Sequence, residues 1–138
     1  MPAKYNLEII TPERTFFNGE VESVIIPTSD GYMSIWKMHE PMVIALSIGV
    51  MKLSIDGEWK ECTTSAGFAE IRPDETVIFS QAVEWPEEID IRRAQEAKEQ
   101  AEERMRQKQS YQEYMQNQIS LARAMVRLRV GRRNQNLD

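Results

Sequence analysis

The chain of 138 residues contains one cysteine, one histidine, six glycines and six prolines. With Cys62 alone, no intrachain disulfide can form; a reducing compartment fits, and any core must hold without covalent staples. His39 has no second His or Cys to share a metal with, and nothing near it has the context of a nucleophile, so surface loop is its default reading. No stretch approaches the ~20 apolar residues of a membrane span, and Met1-Pro2-Ala3-Lys4-Tyr5 lacks the apolar run of a signal peptide. Direct membrane insertion is therefore not expected. No Gly-rich phosphate loop is present, since Gly67 stands alone after Ser65-Ala66. An enzyme in its own right finds no supporting constellation in these residues. A net charge of −5 argues against a nucleic-acid binder.

What is present is a soluble balance of 41% hydrophobic and 28% charged residues, enough for one domain and an appendage. Residues 5–84 read as short strands rich in Val, Ile, Thr and Phe, punctuated by Gly, Pro, Asn and Asp. The expected strands are Tyr5–Ile10, Arg14–Phe17, Val21–Ile26, Tyr32–Trp36 and Met42–Ser47, with a turn at Asn18-Gly19. Met51, Leu53 and Ile55 then alternate with Lys52, Ser54 and Asp56, and Asp56-Gly57 suits a type I′ turn into Glu58–Thr64. Gly67–Arg72 and Thr76–Val83 close the set. Strands at this spacing predict a β-sandwich or flattened barrel. Met33, Met38, Met42 and Met51 cluster in this part, with core filling favoured over an adaptable contact surface.

Trp85-Pro86 marks a boundary, giving domains 1–85 and 86–138. From Glu87 to Val130 there is neither Gly nor Pro, and good helix formers dominate. As one rod this segment would run roughly 65 Å. Ser110-Tyr111-Gln112-Glu113 is a capping box in its middle, however, so the tail reads equally as a two-helix hairpin. Asp90 is a candidate N-cap of the first helix, whose Ala94, Ala97, Ala101 and Met105 share one face. Tyr114, Leu121, Met125 and Leu128 form the expected apolar stripe of the second, flanked by Tyr111 and Ala122.

Arg123 and Arg127, four apart, share a helix face, and Arg129, Arg132 and Arg133 add charge toward the C-terminus. These cations can complement the helix dipole and the acidic first helix. They can equally form an anion site or meet an acidic protein partner, since the guanidinium fork suits phosphate. Only a hairpin could bring Arg93 near Arg123 and Arg127; in a rod they lie ~45 Å apart.

In Leu7–Arg14, Gly19–Val24, His39-Glu40-Pro41, Gly67–Ile71 and the Arg72-Pro73-Asp74 turn, taken in order, the chain resembles the epsilon subunits of bacterial F-type ATP synthases. That resemblance implies a ten-stranded β-sandwich followed by a C-terminal two-helix hairpin that can extend. It implies a non-catalytic rotor subunit of the central stalk, which couples ion translocation to ATP synthesis and inhibits ATP hydrolysis through its C-terminal helices. The implied partners are the gamma subunit, the c-subunit ring and, in the extended state, the catalytic beta subunit, on the cytoplasmic face of the plasma membrane. No cofactor is required, and ATP is the implied regulatory ligand. Ile89-Asp90-Ile91-Arg92-Arg93-Ala94 matches the family's Ile/Leu-Asp-x-x-Arg-Ala ATP motif, which implies ATP contacts at Ile89, Asp90, Arg93 and Ala94. Glu84, Arg123 and Arg127 look like the remaining ligands. Inhibitory contacts fall on Arg123, Arg127, Arg129 and Arg132, and rotor contacts on Ser34, Met38, His39 and Glu40. Ser34 stands where the family has Gly, Trp36-Lys37-Met38 where it often has Leu-Pro-Gly, and Ala66-Gly67 where it often has Gly-Gly.

The rival readings are a free-standing β-sandwich binding module with a helical dimerisation tail and an RNA-binding protein using Arg123–Arg133. Gln107, Lys108, Gln109, Asn117 and Gln118 break the seam the first would need. The second lacks a basic, aromatic stacking face elsewhere.

Overall fold

The computed structural model describes residues 3–136; Met1, Pro2, Leu137 and Asp138, which the expected domains include, lie outside the described residues. The chain divides between Glu84 and Trp85 into two compact units.

The first unit is a sandwich of two five-stranded sheets. One has the order β2 (Thr15–Val21), β1 (Tyr5–Ile10), β9 (Glu75–Ser80), β8 (Gly67–Ile71), β5 (Met42–Leu46). The other runs β10 (Val83–Glu84), β7 (Glu58–Thr64), β6 (Gly49–Ile55), β3 (Ser23–Thr28), β4 (Gly31–Trp36). All pairs are antiparallel except β1 with β9. Alternation along β1 turns Tyr5, Leu7 and Ile9 inward, where they meet Ile26, Ile35, Met51 and Leu53 of the facing sheet. The Tyr5 hydroxyl crosses between sheets and donates to the carbonyl of Ile35 at 2.6 Å.

The β6–β7 hairpin is the expected one, with Asp56 (φ 51°) and Gly57 (φ 81°) both left-handed. Its tip is fixed twice. The buried Glu22 carboxylate accepts from the Gly57 N–H at 2.6 Å, and Lys4 pairs with Asp56.

Four expectations are corrected here. Asn18-Gly19 is no turn but part of β2, paired with Glu8 and Leu7 of β1. Val21 ends β2, and β3 starts only at Ser23. The segment Thr76–Val83 is two strands in different sheets. Of the methionines, Met51 fills the core, but Met38 and Met42 are exposed, so core filling fails for those two.

The second unit begins with a 3₁₀ turn, Pro86–Glu88, and continues into α1 (Ile91–Met105) and α2 (Tyr111–Asn136). The helices fold back as a hairpin rather than running on as a rod. Glu113 N–H donates to Ser110 Oγ at 3.1 Å as expected, and the Glu113 carboxylate accepts from the Ser110 hydroxyl instead of reaching the backbone. The α2 stripe differs from expectation. Tyr111, Tyr114 and Met125 are exposed, while Ala124, Leu128 and Gly131 are buried, three and four residues apart. Facing them, Ala94 and Ala101 are buried on α1. The seam thus combines small residues, Ala94, Ala101, Ala124 and Gly131, with Leu128.

Candidate functional site

On the sandwich, the loop between β4 and β5 carries three of the four expected rotor contacts. Met38 adopts a left-handed backbone (φ 65°), unusual for a residue with a side chain. Its N–H donates to the carbonyl of Pro73, and the His39 N–H donates to the Trp36 carbonyl at 3.2 Å, so the loop is pinned at Met38 and His39. His39 Nδ1 lies 2.9 Å from the Glu40 carbonyl oxygen. A carbonyl can only accept, so Nδ1 is the donor in this contact. Met38 points outward at 72% exposure, beside exposed Trp36 and Glu40. Ser34 is separate from them on β4, paired with Ile25 and exposed.

In the hairpin, Asp90 caps α1, accepting from the Arg93 N–H at 3.1 Å. That bond satisfies one orphan donor and leaves the exposed Asp90 carboxylate at the positive end of the helix. Ile89 and Ala94 are buried, whereas Arg93 is exposed. The antiparallel register follows from two contacts. Arg132 donates to Gln95 Oε1 at 2.8 Å, and Gly131 lies against Ile89 and Ile91. Arg93 is thus level with Gly131 and Arg132. Measured along α2 from that level, Arg127 is roughly 7 Å away and Arg123 roughly 14 Å, by helical rise. Both lie on the face that also carries the fully buried Val130. Arg127 is half-buried and Arg123 exposed.

The hairpin unit therefore gathers Ile89, Asp90, Arg93, Ala94, Arg123 and Arg127. Glu84 belongs to the other unit, where it ends β10 opposite Thr63. Of the arginines expected to inhibit, Arg129 is exposed and Arg132 is engaged with Gln95. Sequence reasoning missed Gly131 and Gln95. A glycine inside an otherwise glycine-free helix was the available signal for the first.

At the hairpin turn, Gln109 donates to the Met105 carbonyl at 3.3 Å and Asn117 donates to Gln109 at 2.7 Å. A polar cleft of about 280 Å³ opens there among Arg104, Lys108, Glu113 and Asn117. Among the described residues, no group of His, Cys, Asp or Glu could hold a metal ion, and no helix is long and apolar enough to cross a membrane.

The chain matches two family domains end to end: the beta-sandwich domain of the ATP synthase delta/epsilon chain over residues 4–86, and its long alpha-helix domain over residues 87–131. It is 45% identical to an ATP synthase epsilon chain of Caldanaerobacter subterraneus subsp. tengcongensis over 138 residues, covering 99% of this chain and 100% of the relative. To the ATP synthase epsilon chain of Ruminiclostridium cellulolyticum it is 48% identical over 126 residues, 91% of this chain and 94% of that one. Its fold is similar to a chain in the Euglena gracilis mitochondrial ATP synthase (OSCP/F1/c-ring), with a TM-score of 0.78 at 23% identity over 91% of this chain and 79% of that one. Both domains and relatives matched over nearly their full length agree, and the chain belongs to the family of ATP synthase epsilon chains, non-catalytic subunits of that complex.

Proposed function

We propose that this chain is a central-stalk rotor subunit of an F-type ATP synthase whose helical tail senses ATP and regulates hydrolysis. The sandwich would dock on the gamma subunit and the c-subunit ring, on the cytoplasmic face of the bacterial plasma membrane, with no insertion into the bilayer. The pinned loop with Met38, His39 and Glu40 supports this, and so do the exposed Trp36 and Ser34 of the edge strand β4.

The observation that carries the nucleotide reading is the fold-back itself. It brings the Asp90 cap and Arg93 to within two or three helical turns of Arg127 and Arg123, which a rod would hold ~45 Å away. In this reading the Asp90 carboxylate accepts from the base or ribose. Arg93, Arg123 and Arg127 donate to phosphate oxygens, and Ile89 and Ala94 hold the seam that positions them. Glu84 remains an expectation of the resemblance. ATP then stabilises the hairpin by its differential affinity, ~2.7 kcal/mol at one hundred times its dissociation constant. When ATP is scarce the tail extends, and Arg123, Arg127, Arg129 and Arg132 become available to an acidic segment of the catalytic beta subunit.

Calorimetric titration of the purified chain with ATP, beside Arg127→Ala, tests this. Saturable binding in the parent and a loss of about 1.5–3 kcal/mol in the variant are expected for a charged hydrogen bond. Absence of heat and of any melting shift at millimolar ATP would reduce these arginines to a solvated basic face.

A further inference from the structure

Gly131 is the only glycine within either helix. Its backbone is ordinary helix, so what it supplies is space rather than an unusual φ. A Cβ there would stand 3.0 Å from Ile91 Cγ1, 3.2 Å from Ile89 Cγ2 and 3.5 Å from Ile91 Cδ1. The two nearest atoms are each one bond from their own Cβ, not the free ends of long side chains. They also belong to residues with only Asp90 between them. A side chain at 131 would require both Ile89 and Ile91 to give by a few tenths of an ångström, and these two residues flank the α1 cap at Asp90.

We propose that Gly131 is a positioning residue for the nucleotide cap and biases the tail toward the hairpin. The nucleotide part rests on the reading given above. The bias comes from the close approach of α2 to the α1 cap. In the hairpin, glycine lets α2 lie against Ile89 and Ile91 without displacing them, and so keeps the segment around Asp90 in place. In an extended rod those neighbours are absent, whereas the low helix propensity of glycine acts equally in both states, because residue 131 is helical in both. A side chain at 131 therefore strains the hairpin and leaves the rod untouched. Gly131→Ala shifts the balance toward the rod, although the same change improves the helix propensity of α2 in either state.

The test uses the full chain with spin labels at Glu96→Cys and Gln135→Cys, exposed positions that the hairpin brings near each other. A continuous rod would separate them by ~58 Å. Cys62 is buried in the sandwich and stays unlabelled. The parent should show the short distance, Gly131→Ala a long-distance population, and Gly131→Ala with Ile91→Ala a return to the short one. An unchanged distance in Gly131→Ala, or no rescue by Ile91→Ala, would overturn the bias. A generally misfolded tail would not be rescued by removing a second side chain.

Calorimetry with ATP on the same variants reads the positioning role. The apparent dissociation constant should rise at least in proportion to the lost hairpin fraction, about tenfold if one tenth remains folded back. An unchanged constant despite a lost hairpin would overturn the positioning role. A parent chain that binds no ATP would overturn the nucleotide reading alone, and the distances would still decide the conformational one.

Discussion

Arg132 of α2 donates to the side-chain oxygen of Gln95 of α1 at 2.8 Å, thirty-seven residues apart in sequence. The bond exists only when the helices fold back. In the proposed extended state, that arginine would be released from Gln95. Because Arg132 is exposed and Gln95 is half-buried, water competes for it. Gln95→Ala should therefore destabilise the hairpin by about 0.5–1.5 kcal/mol. Hydrogen exchange of the α2 amides checks this: faster exchange in α2 with the sandwich unchanged is the expected outcome.

The capping of α1 by Asp90 and its proposed contact with nucleotide can be separated by substitution. Asp90→Ala removes the cap and should cost about 1 kcal/mol of α1 stability. Asp90→Asn keeps an equivalent cap and removes the charge. If Asp90 accepts hydrogen bonds from a nucleotide, Asp90→Asn should leave the melting temperature of the free chain nearly unchanged and still weaken ATP binding. Equal ATP affinity for Asp90→Asn and the parent would confine Asp90 to capping.

The parts of the fold legible in sequence were those where backbone chemistry decides. Asp56-Gly57 needs positive φ twice and has it, and Asp90 and Ser110 cap the helices they precede. The misreadings arose where tertiary contact decides. Asn18-Gly19 carries a turn signal, yet pairing with β1 keeps it in a strand. There the missing Cβ of Gly19 makes room for the Phe17 ring, whose nearest atom would be 3.3 Å away. On α2, hydrophobicity drew attention to Tyr114 and Met125, but the seam is chosen by closeness, and Ala124 and Gly131 fit it. The motif residues of the candidate site could be read locally. Their convergence could not, because it depends on which way the chain turns after Met105.

Gly67 is the most demanding glycine of the sandwich. A Cβ there would fall 1.9 Å from the carbonyl oxygen of Phe79, across the β8–β9 pair. That obstacle is backbone, so no side-chain movement relieves it. Gly67→Ala should destabilise the sandwich by more than about 2 kcal/mol, well above the common range for exposed positions. Chemical denaturation followed through tryptophan fluorescence measures it. A midpoint equal to the parent's would mean that β8 and β9 can separate there without loss.

Two buried groups predict that the sandwich loses stability in alkali. Tyr5 and Cys62 are buried, and burial pushes both the phenol and the thiol above their ordinary values of 10.0 and 9.0. In each case the neutral, protonated form is the one the core accepts. Below the unfolded-state values both groups are neutral in both states, so their contribution to stability is fully present. As pH rises past 9 and then 10, the unfolded chain releases protons that the folded chain retains. Stability then falls by about 1.4 kcal/mol per pH unit for each group, until pH passes the folded-state values. Tyr5→Phe removes one such group along with its hydrogen bond to Ile35. It should lower stability near neutral pH by about 1 kcal/mol, through the carbonyl left unpaired, and yet flatten the decline above pH 10. Cys62→Ala should flatten it above pH 9, and in the parent a thiol reagent should label Cys62 only at the rate of unfolding. Denaturation midpoints from pH 7 to 11 for the three chains decide the matter: parallel curves would show that neither buried proton governs the alkaline limit.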